Sequence, residues 1–204
     1  MYIPRVNEVH DQAALLSFMA RFNFATLVTI AAGLPCASHL PWEVDAACVP
    51  HGKLRGHLAR PNPQWRHFQA GQEVLVIFQG AHGYISPSWY AVAQPAVPTW
   101  NYMVAHVYGV PQIIEEPAAV YRHLRTLVQE HEGSIDSQWR LDEGYMQKLA
   151  RGVVAFEIEI TRLEGKFKLS QNRSVEDRRG VIAALGASSY AGDRALAQAM
   201  EEHT

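Results

Sequence analysis

Cysteine, long hydrophobic runs and catalytic signature motifs are scarce or missing in this 204-residue chain. The two cysteines, Cys36 and Cys48, form neither a CxxC pair nor a zinc-ligand spacing, which favours a reducing compartment over a disulfide scaffold. No stretch reaches the length of a membrane span, and the first residues lack a basic segment followed by an apolar one. We therefore expect a cytoplasmic protein.

The sequence lacks the signature motifs of several enzyme classes. The chain contains no GxSxG, no P-loop, no GxGxxG and no HExxH, so it offers no ready case for a hydrolase, an NTPase, a Rossmann dehydrogenase or a zinc protease. Ten histidines are present, but His39, His57, His82 and His106 lie on separate strand-like segments. We expect hydrogen-bonded core or pocket histidines and no metal site.

Excess positive charge is also missing. Eighteen basic and twenty acidic residues give a formal charge of −2, which provides no overall attraction to nucleic acid or to an anionic membrane. The best local basic run, residues 173–179, is diluted by Glu176 and Asp177. Direct DNA contact would therefore need a local patch that the sequence does not reveal.

The first half of the chain is dominated by predicted strands. Leu15, Phe18, Met19 and Phe22 share one face of a first helix that begins near Asp11. The following β-rich runs, separated by glycine and proline signals, predict a hairpin over 24–41, a strand over 53–59, a helix from Pro63 to about Gly71, a strand over 73–79 closed by Gly80, and a strand within 99–114. Many short strands with few helices favour an antiparallel barrel.

The second half adds helices to this barrel. Residues 117–150 predict a helical insertion, and the alternation of apolar and acidic residues over 153–160 predicts a half-buried strand. Ser174 is a candidate helix cap, with Asp177 as its capping-box partner and Gly186 as a break before residues 189–203. We find no repeat and no linker, so we expect one mainly β domain over 1–204, an α+β chain whose C-terminal helical region covers 174–204.

Two tryptophan-bearing segments, residues 85–90 and 97–102, are the strongest functional signal. They combine indoles, hydroxyls and an amide with prolines that restrict backbone freedom, a composition suited to a flat ligand with polar edges such as a flavin. The alternative is that their aromatic residues are core residues of two strands. The candidate ligand contacts in these segments are Ser86, Ser88, Trp89, Thr99, Trp100 and Asn101.

The junction from the predicted strand 53–59 to the helix at Pro63 is the best candidate for a phosphate-binding site. A helix N-terminus presents unpaired N–H groups, and Arg60 adds a full positive charge. The alternative is a capped helix beside a solvated arginine.

A second polar cluster, residues 164–173, resembles an edge strand that leads into a helix cap. Its Lys166, Lys168 and Arg173 could neutralise a phosphate or lie beside a flavin. Its Ser170, Gln171 and Asn172 could form hydrogen bonds with the polar edge of the flavin. It could equally be solvated surface.

Taken in order, these segments closely resemble the PaiB family, which is described as FMN-binding negative transcriptional regulators. The resemblance covers about residues 1–185 and is carried by Tyr2-Ile3-Pro4 and by residues 24–29 (FATLVT), 37–41 (ASHLP), 56–60 (GHLAR), 62–65 (NPQW), 84–90 (YISPSWY), 97–102 (VPTWNY) and 168–173 (KLSQNR). It departs from the family at Trp42 and Glu43, which stand where an apolar pair is usual. We expect neither residue to touch the ligand pocket.

The resemblance implies a split β-barrel of the pyridoxamine-phosphate-oxidase type, with FMN at the interface of a homodimer. It implies that Arg60, Asn62, Gln64 and Trp65 hold the phosphate side and that His39 and His57 line the strand floor. The ring would be enclosed by Ser86, Ser88, Trp89, Thr99, Trp100 and Asn101, together with Lys168, Ser170, Gln171, Asn172 and Arg173 of the partner subunit.

Three functions remain open at this point. The first is a flavin-binding regulator in which FMN alters a DNA or protein interaction. The second is a small FMN-dependent oxidoreductase, in which the protein supplies the pocket and its electrostatics. The third is a haem-handling protein on the same barrel, with a histidine as the axial ligand.

Overall fold

The computed structural model describes residues 1–48, 50–68, 71–91, 95–133, 135 and 139–203. Gln69 and Ala70, in the helix predicted after Pro63, lie outside the described residues, as do 134 and 136–138 inside the predicted helical insertion. The described elements are β1 Glu8–Val9, α1 Gln12–Arg21, β2 Phe24–Ala31, β3 Leu34–Pro41, β4 Glu43–Asp45, β5 Lys53–Ala59, β6 Val74–Ile85, β7 Thr99–Ile113, α2 Pro117–Glu132, α3 Glu143–Ala150, β8 Val153–Lys168, α4 Val175–Gly186 and α5 Ala191–Glu202.

The strands form one eight-stranded sheet with the order β3-β2-β6-β7-β8-β5-β4, and β1 pairs with β8. The predicted hairpin is the antiparallel pair β2–β3, with Thr26 opposite His39. Strand β5 pairs antiparallel with the first half of β8, with His57 opposite Ala155. Within the described part of the chain the sheet is not closed. The mainly β class with helices predicted from the sequence is confirmed.

The chain folds into two compact units. Unit 1 comprises residues 1–11, 79–105 and 164–204, and unit 2 comprises residues 12–78 and 106–163. The single domain expected from the sequence stays a prediction.

The core of unit 2 follows from alternation along its strands. On β5, Leu54, Gly56 and Leu58 are buried, whereas Lys53, Arg55 and His57 occupy the opposite face. The indole of Trp42 is fully buried and meets the Phe156 ring edge to face, with centroids 5.6 Å apart. A Cβ at Gly56 would lie 3.1 Å from that indole, so the strand approaches Trp42 closely only because it has glycine there.

The core of unit 1 is helical. Helices α4 and α5 pack together through Val181, Leu185, Leu196 and Met200, which are fully buried. Ser174 caps α4 as predicted, because its Oγ accepts the N–H of Asp177 at 3.1 Å. The Asp177 carboxylate is directed elsewhere and accepts the N–H of Ala91 at 2.9 Å.

Three local predictions are corrected. Strand β6 does not close at Gly80 but continues to Ile85, and a Cβ at Gly83 would collide with Leu196; a strand glycine here marks a close approach and not a turn. The helix after Pro63 is a five-residue 3-10 helix, Pro63–His67. The segment 164–168 is not an edge strand, because it belongs to β8 and pairs with β1, a strand too short to give a sequence signal. No described helix is both long and apolar enough to cross a bilayer.

Candidate functional site

Arg60, the predicted phosphate residue, is fixed by backbone oxygens in unit 2. Its Nε donates to the carbonyl of Arg151 at 2.9 Å, and its Nη2 donates to the carbonyl of Val153 at 2.8 Å. The indole N–H of Trp65 donates to the carbonyl of Arg60 at 3.1 Å. These bonds hold the guanidinium against the first residues of β8.

The side chains of Asn62 and Gln64 hold in place the connection between β5 and the 3-10 helix, residues 60–62. The Oδ1 of Asn62 caps the 3-10 helix by accepting the N–H of Gln64, and its Nδ2 donates to Ser38 Oγ at 3.0 Å. The Gln64 side chain is fully buried, and its Nε2 lies 3.1 to 3.3 Å from the oxygens of Leu27, Thr29 and Cys36. Gln64 therefore ties the connection to the β2–β3 hairpin.

A cavity of about 790 Å³ opens beside this connection in unit 2. Arg60 and Trp65 both line it, and Arg151 and Glu115 bring further charges to its wall. The rest of the wall is mostly apolar and comes from the end of β7, the start of β8, α2 and α3. The volume falls in the range of small-molecule sites, about 300–1,000 Å³.

His57, predicted to line the strand floor, is hydrogen-bonded to a second histidine. Its Nδ1 lies 3.2 Å from Nε2 of His123 on α2, and His123 Nδ1 lies 3.0 Å from Oε2 of Glu43 on β4. The other carboxylate oxygen of Glu43 accepts from Arg55 at 2.7 Å. The His123 side chain is 1% exposed, so this chain of polar groups is largely shielded from water.

The environment shifts the pKa values of this cluster in the expected directions. Burial, followed by the nearby charge of His123, lowers the pKa of His57 to about 4. The hydrogen bond from His123, together with Arg55, holds the pKa of Glu43 below its ordinary value. A second cavity of about 420 Å³ is lined by Glu43, Arg55 and His123, among other residues of unit 2.

His39, the other predicted floor residue, lies on the exposed face of the hairpin. Its Nδ1 and the hydroxyl of Thr26 are 2.9 Å apart across the β2–β3 pair. No described contact joins His39 to His57, so the two predicted floor histidines have separate partners.

In unit 1 the first tryptophan segment forms a short capped turn. The Oγ of Ser86 accepts the N–H of Ser88 and lies 2.8 Å from the Ser88 hydroxyl, at the start of a 3-10 helix over Pro87–Trp89. Helix α4 packs directly on this turn, since a Cβ at Gly180 would collide with the carbonyl oxygen of Trp89. Trp89 is therefore held by α4.

The second tryptophan segment is organised by Lys168. Its ammonium donates to the hydroxyl of Thr99 and to the carbonyl of Trp100, which fixes the first residues of β7. Burial, and then the charge of Lys166, lowers the pKa of Lys168. The Trp100 ring remains 55% exposed and meets Tyr84 edge to face at 6.1 Å.

Asn101 and Ser170 form a buried pair in unit 1. The Nδ2 of Asn101 donates to Ser170 Oγ at 2.9 Å, and Ser170 adopts a left-handed φ of 63° where β8 ends. Gln171 closes this turn by accepting the N–H of Leu169, and Arg173 stacks over the ring of Tyr90 at 4.4 Å. Asn172 is exposed.

The structure thus gathers the candidates into two sets. Unit 2 holds His39, His57, Arg60, Asn62, Gln64 and Trp65, and unit 1 holds Ser86, Ser88, Trp89, Thr99, Trp100, Asn101, Lys168, Ser170, Gln171, Asn172 and Arg173. Sequence reasoning missed Glu43 and His123 as site residues. Their only signal was the unusual Glu43 after the ASHLP segment, a residue expected to stay away from the pocket; it is linked to His57 through His123.

The open antiparallel sheet, together with the family and fold matches, defines a flavin-binding split-barrel protein, which confirms the architecture predicted from the sequence. Residues 1–162 match the family described as "Putative FMN-binding domain", and the chain belongs to this family. FMN is the cofactor of the family, which confirms the sequence prediction of FMN.

Known proteins agree with this assignment. The chain is 35% identical to "Protease synthase and sporulation protein PAI 2" of Bacillus subtilis, over 99% of this chain and 97% of that protein, which confirms the PaiB resemblance. Two solved structures share the fold at TM-scores of 0.62: the FAD and heme binding protein from Mycobacterium smegmatis and the flavocytochrome Anf3 from Azotobacter vinelandii. They are 16% and 14% identical; both alignments cover 87% of this chain, and they cover 80% and 78% of the respective structures.

Proposed function

We propose that FMN binds with its phosphate against Arg60, at the 790 Å³ cavity that Arg60 and Trp65 line. That shared cavity carries the proposal, because the family resemblance implies that both residues hold the phosphate side. Once bound, FMN supplies redox chemistry that the side chains alone lack.

The residues present fit a phosphate ester. A guanidinium has five N–H donors, and Arg60 uses two of them on the carbonyls of Arg151 and Val153. Three donors therefore stay available to phosphate oxygens, on a guanidinium that its backbone bonds already orient. The helix dipole contributes little to this site, because the helix after Asn62 is a single 3-10 segment.

The remaining ligand contacts stay predictions. The hydroxyls, amides and indoles of unit 1 are proposed to bind the ring, and residues 168–173 are proposed to do so from the same chain as residues 99–101, which they contact. The pairing of Lys168 with Thr99 and Trp100 supports a positioning role for Lys168, since it holds the start of β7 at a defined place.

We propose further that the protein is a homodimeric, cytoplasmic regulator that acts with or through bound flavin. One face of the β2–β3 hairpin carries Phe24, Val28, Ile30, Ala37 and His39, and Phe24 is 67% exposed. An exposed apolar face on the hairpin at one end of the sheet supports an interface between copies. The regulatory role is supported by the name of the Bacillus subtilis relative, which refers to protease synthesis and sporulation.

The Arg60→Ala variant is expected to bind FMN about 10- to 100-fold more weakly than the wild type, while its affinity for riboflavin changes little. The reason is that FMN carries a phosphate and riboflavin does not. Flavin fluorescence quenching on titration measures both affinities. Arg66→Ala serves as the control, because this exposed guanidinium stacks on Trp65 and does not line the cavity. An equal loss for both ligands in Arg60→Ala would remove Arg60 from the phosphate role.

One sedimentation-velocity experiment tests the dimer and the regulator together. The FMN-loaded protein is expected to sediment as a species of about twice the 22.8 kDa of one chain. A labelled DNA duplex from upstream of its own gene should co-sediment at moderate salt and be released as salt rises, because phosphate contacts release counterions. DNA that stays free at every salt concentration, together with bleaching of the bound flavin by NADH or NADPH, would support the oxidoreductase.

A further inference from the structure

A continuous chain of hydrogen-bonding groups runs through unit 2 from Arg55 to His57. It passes from the guanidinium to the Glu43 carboxylate over 2.7 Å, from the carboxylate to His123 over 3.0 Å, and from His123 to His57 over 3.2 Å. The four side chains come from β4, β5 and α2, so the chain of bonds exists only in the folded protein. Each step has the length of an ordinary hydrogen bond.

The carboxylate fixes where the protons lie when both imidazoles are neutral. Glu43 can only accept, so His123 donates Nδ1–H to it and keeps a lone pair on Nε2. That lone pair accepts Nδ1–H from His57. The outer nitrogen of His57, Nε2, is then left as a hydrogen-bond acceptor.

We propose that Glu43, His123 and His57 form a proton relay whose outer end is His57 Nε2. A proton that arrives at Nε2 bonds to it, and the Nδ1 proton of His57 passes to Nε2 of His123. His57 ends neutral with its N–H on the outer nitrogen, and His123 ends as an imidazolium that donates to both Glu43 and His57. One proton enters and one positive charge appears on His123, so the step balances.

The surroundings explain why the charge rests on His123 and not on His57. His123 contacts the Glu43 carboxylate directly, whereas burial and the neighbouring imidazole hold the pKa of His57 at about 4. The relay lets His57 take up a proton above that pKa, because His57 never becomes an imidazolium. Other charged groups around the cluster are Asp45 on β4, Lys53 and Arg55 on β5, Glu157 and Glu159 on β8, Glu115 and Glu116 before α2, and Arg122, Glu130 and His131 on α2.

The consequence is that His57 Nε2 changes from a hydrogen-bond acceptor to a hydrogen-bond donor. This nitrogen accepts an N–H or O–H from a bound ligand when His123 is neutral, and it donates to a ligand oxygen or nitrogen when His123 is charged. For the flavin this inference rests on the proposed function and on the family resemblance, which implies that His57 lines the floor of the FMN site. Glu43 and His123 act through His57 and are positioning residues.

Nitrogen-15 NMR of the histidine rings in the protein without FMN tests the relay directly. At about pH 8, His57 is expected to show a protonated Nδ1 and an unprotonated Nε2. On acidification from that pH, protonation of His123 and transfer of the His57 proton to Nε2 should follow one common midpoint. A His57 that carries its proton on Nε2 across the whole range would overturn the relay.

Matched variants separate the relay from simple burial. In Glu43→Gln the common midpoint should fall by about one pH unit or more, because the carboxylate charge is lost while an amide oxygen can still accept from His123. In His123→Gln and His123→Phe the tautomer switch of His57 should disappear. His51→Gln should leave it unchanged, since His51 contacts Gln12 and not this cluster. A switch that persists in both His123 variants, or an unmoved midpoint in Glu43→Gln, contradicts the proposal.

The flavin part of the inference has its own readout. Riboflavin carries no phosphate that titrates at about pH 6, so riboflavin titrations above and below the NMR midpoint should give affinities that differ by several-fold in the wild type and agree in His123→Gln. Equal affinities in the wild type would show that the relay does not affect flavin binding. FMN that fails to bind at either pH would contradict the proposed function, whereas the NMR result by itself decides whether the relay exists.

Discussion

The Gly180→Ala variant is expected to lose about 2–3 kcal/mol of its free energy of unfolding and to melt roughly 5–10 °C below the wild type. Alanine is favoured over glycine inside a helix by about 1 kcal/mol, so local propensity alone predicts the opposite sign. Tertiary packing decides, because the new Cβ would overlap the carbonyl oxygen of Trp89, and a backbone atom cannot rotate out of the way. Urea unfolding and thermal melting measure both quantities.

The same helix supplies a matched control for this prediction. Gly186, the last residue of α4, has no atom within 4 Å of where its Cβ would lie, and Gly186→Ala is expected to leave stability unchanged or slightly raised. Because the clash pushes on Trp89, Gly180→Ala should also reduce the quenching of FMN fluorescence. A Gly180→Ala protein as stable as Gly186→Ala would show that α4 does not pack on this turn.

Acidification from about pH 6.5 to about pH 4 is expected to lower the free energy of unfolding, with His57 contributing at most about 3 kcal/mol. In the folded protein the pKa of His57 is about 4, below its ordinary value of 6.5. Between these values the unfolded chain binds a proton that folded His57 does not, so stability rises with pH across this window. Urea unfolding at a series of pH values measures the slope.

Glu43 acts in the same direction at lower pH. Its pKa is depressed in the folded protein, so its contribution is present above its ordinary value of 4.5 and is lost as the pH falls through the folded value. The His57→Gln variant isolates the histidine, and its stability should depend less steeply on pH between about 6.5 and 4. Parallel stability curves for the variant and the wild type would show that His57 does not stay neutral in this range.

Local sequence signals predicted several elements with accurate limits. The β-rich run over residues 53–59 predicted β5, and Ser174 predicted the start of α4. The ends of β6 and β8 were wrong because they depend on distant partners: Leu196 fills the space beside Gly83, and β1 pairs with the second half of β8. A glycine in a strand gives the same local signal whether it turns the chain or admits a neighbour.

The sequence by itself determined the family and the FMN cofactor, because the motifs that carry the family resemblance are contiguous segments such as residues 84–90 and 97–102. Only the tertiary structure decided which donors are already occupied, as for Arg60, and which groups act together. Glu43 and His123 are 80 residues apart in the chain, and His57 and His123 are 66 apart. No local pattern encodes such contacts, since they arise only when α2 packs against β4 and β5.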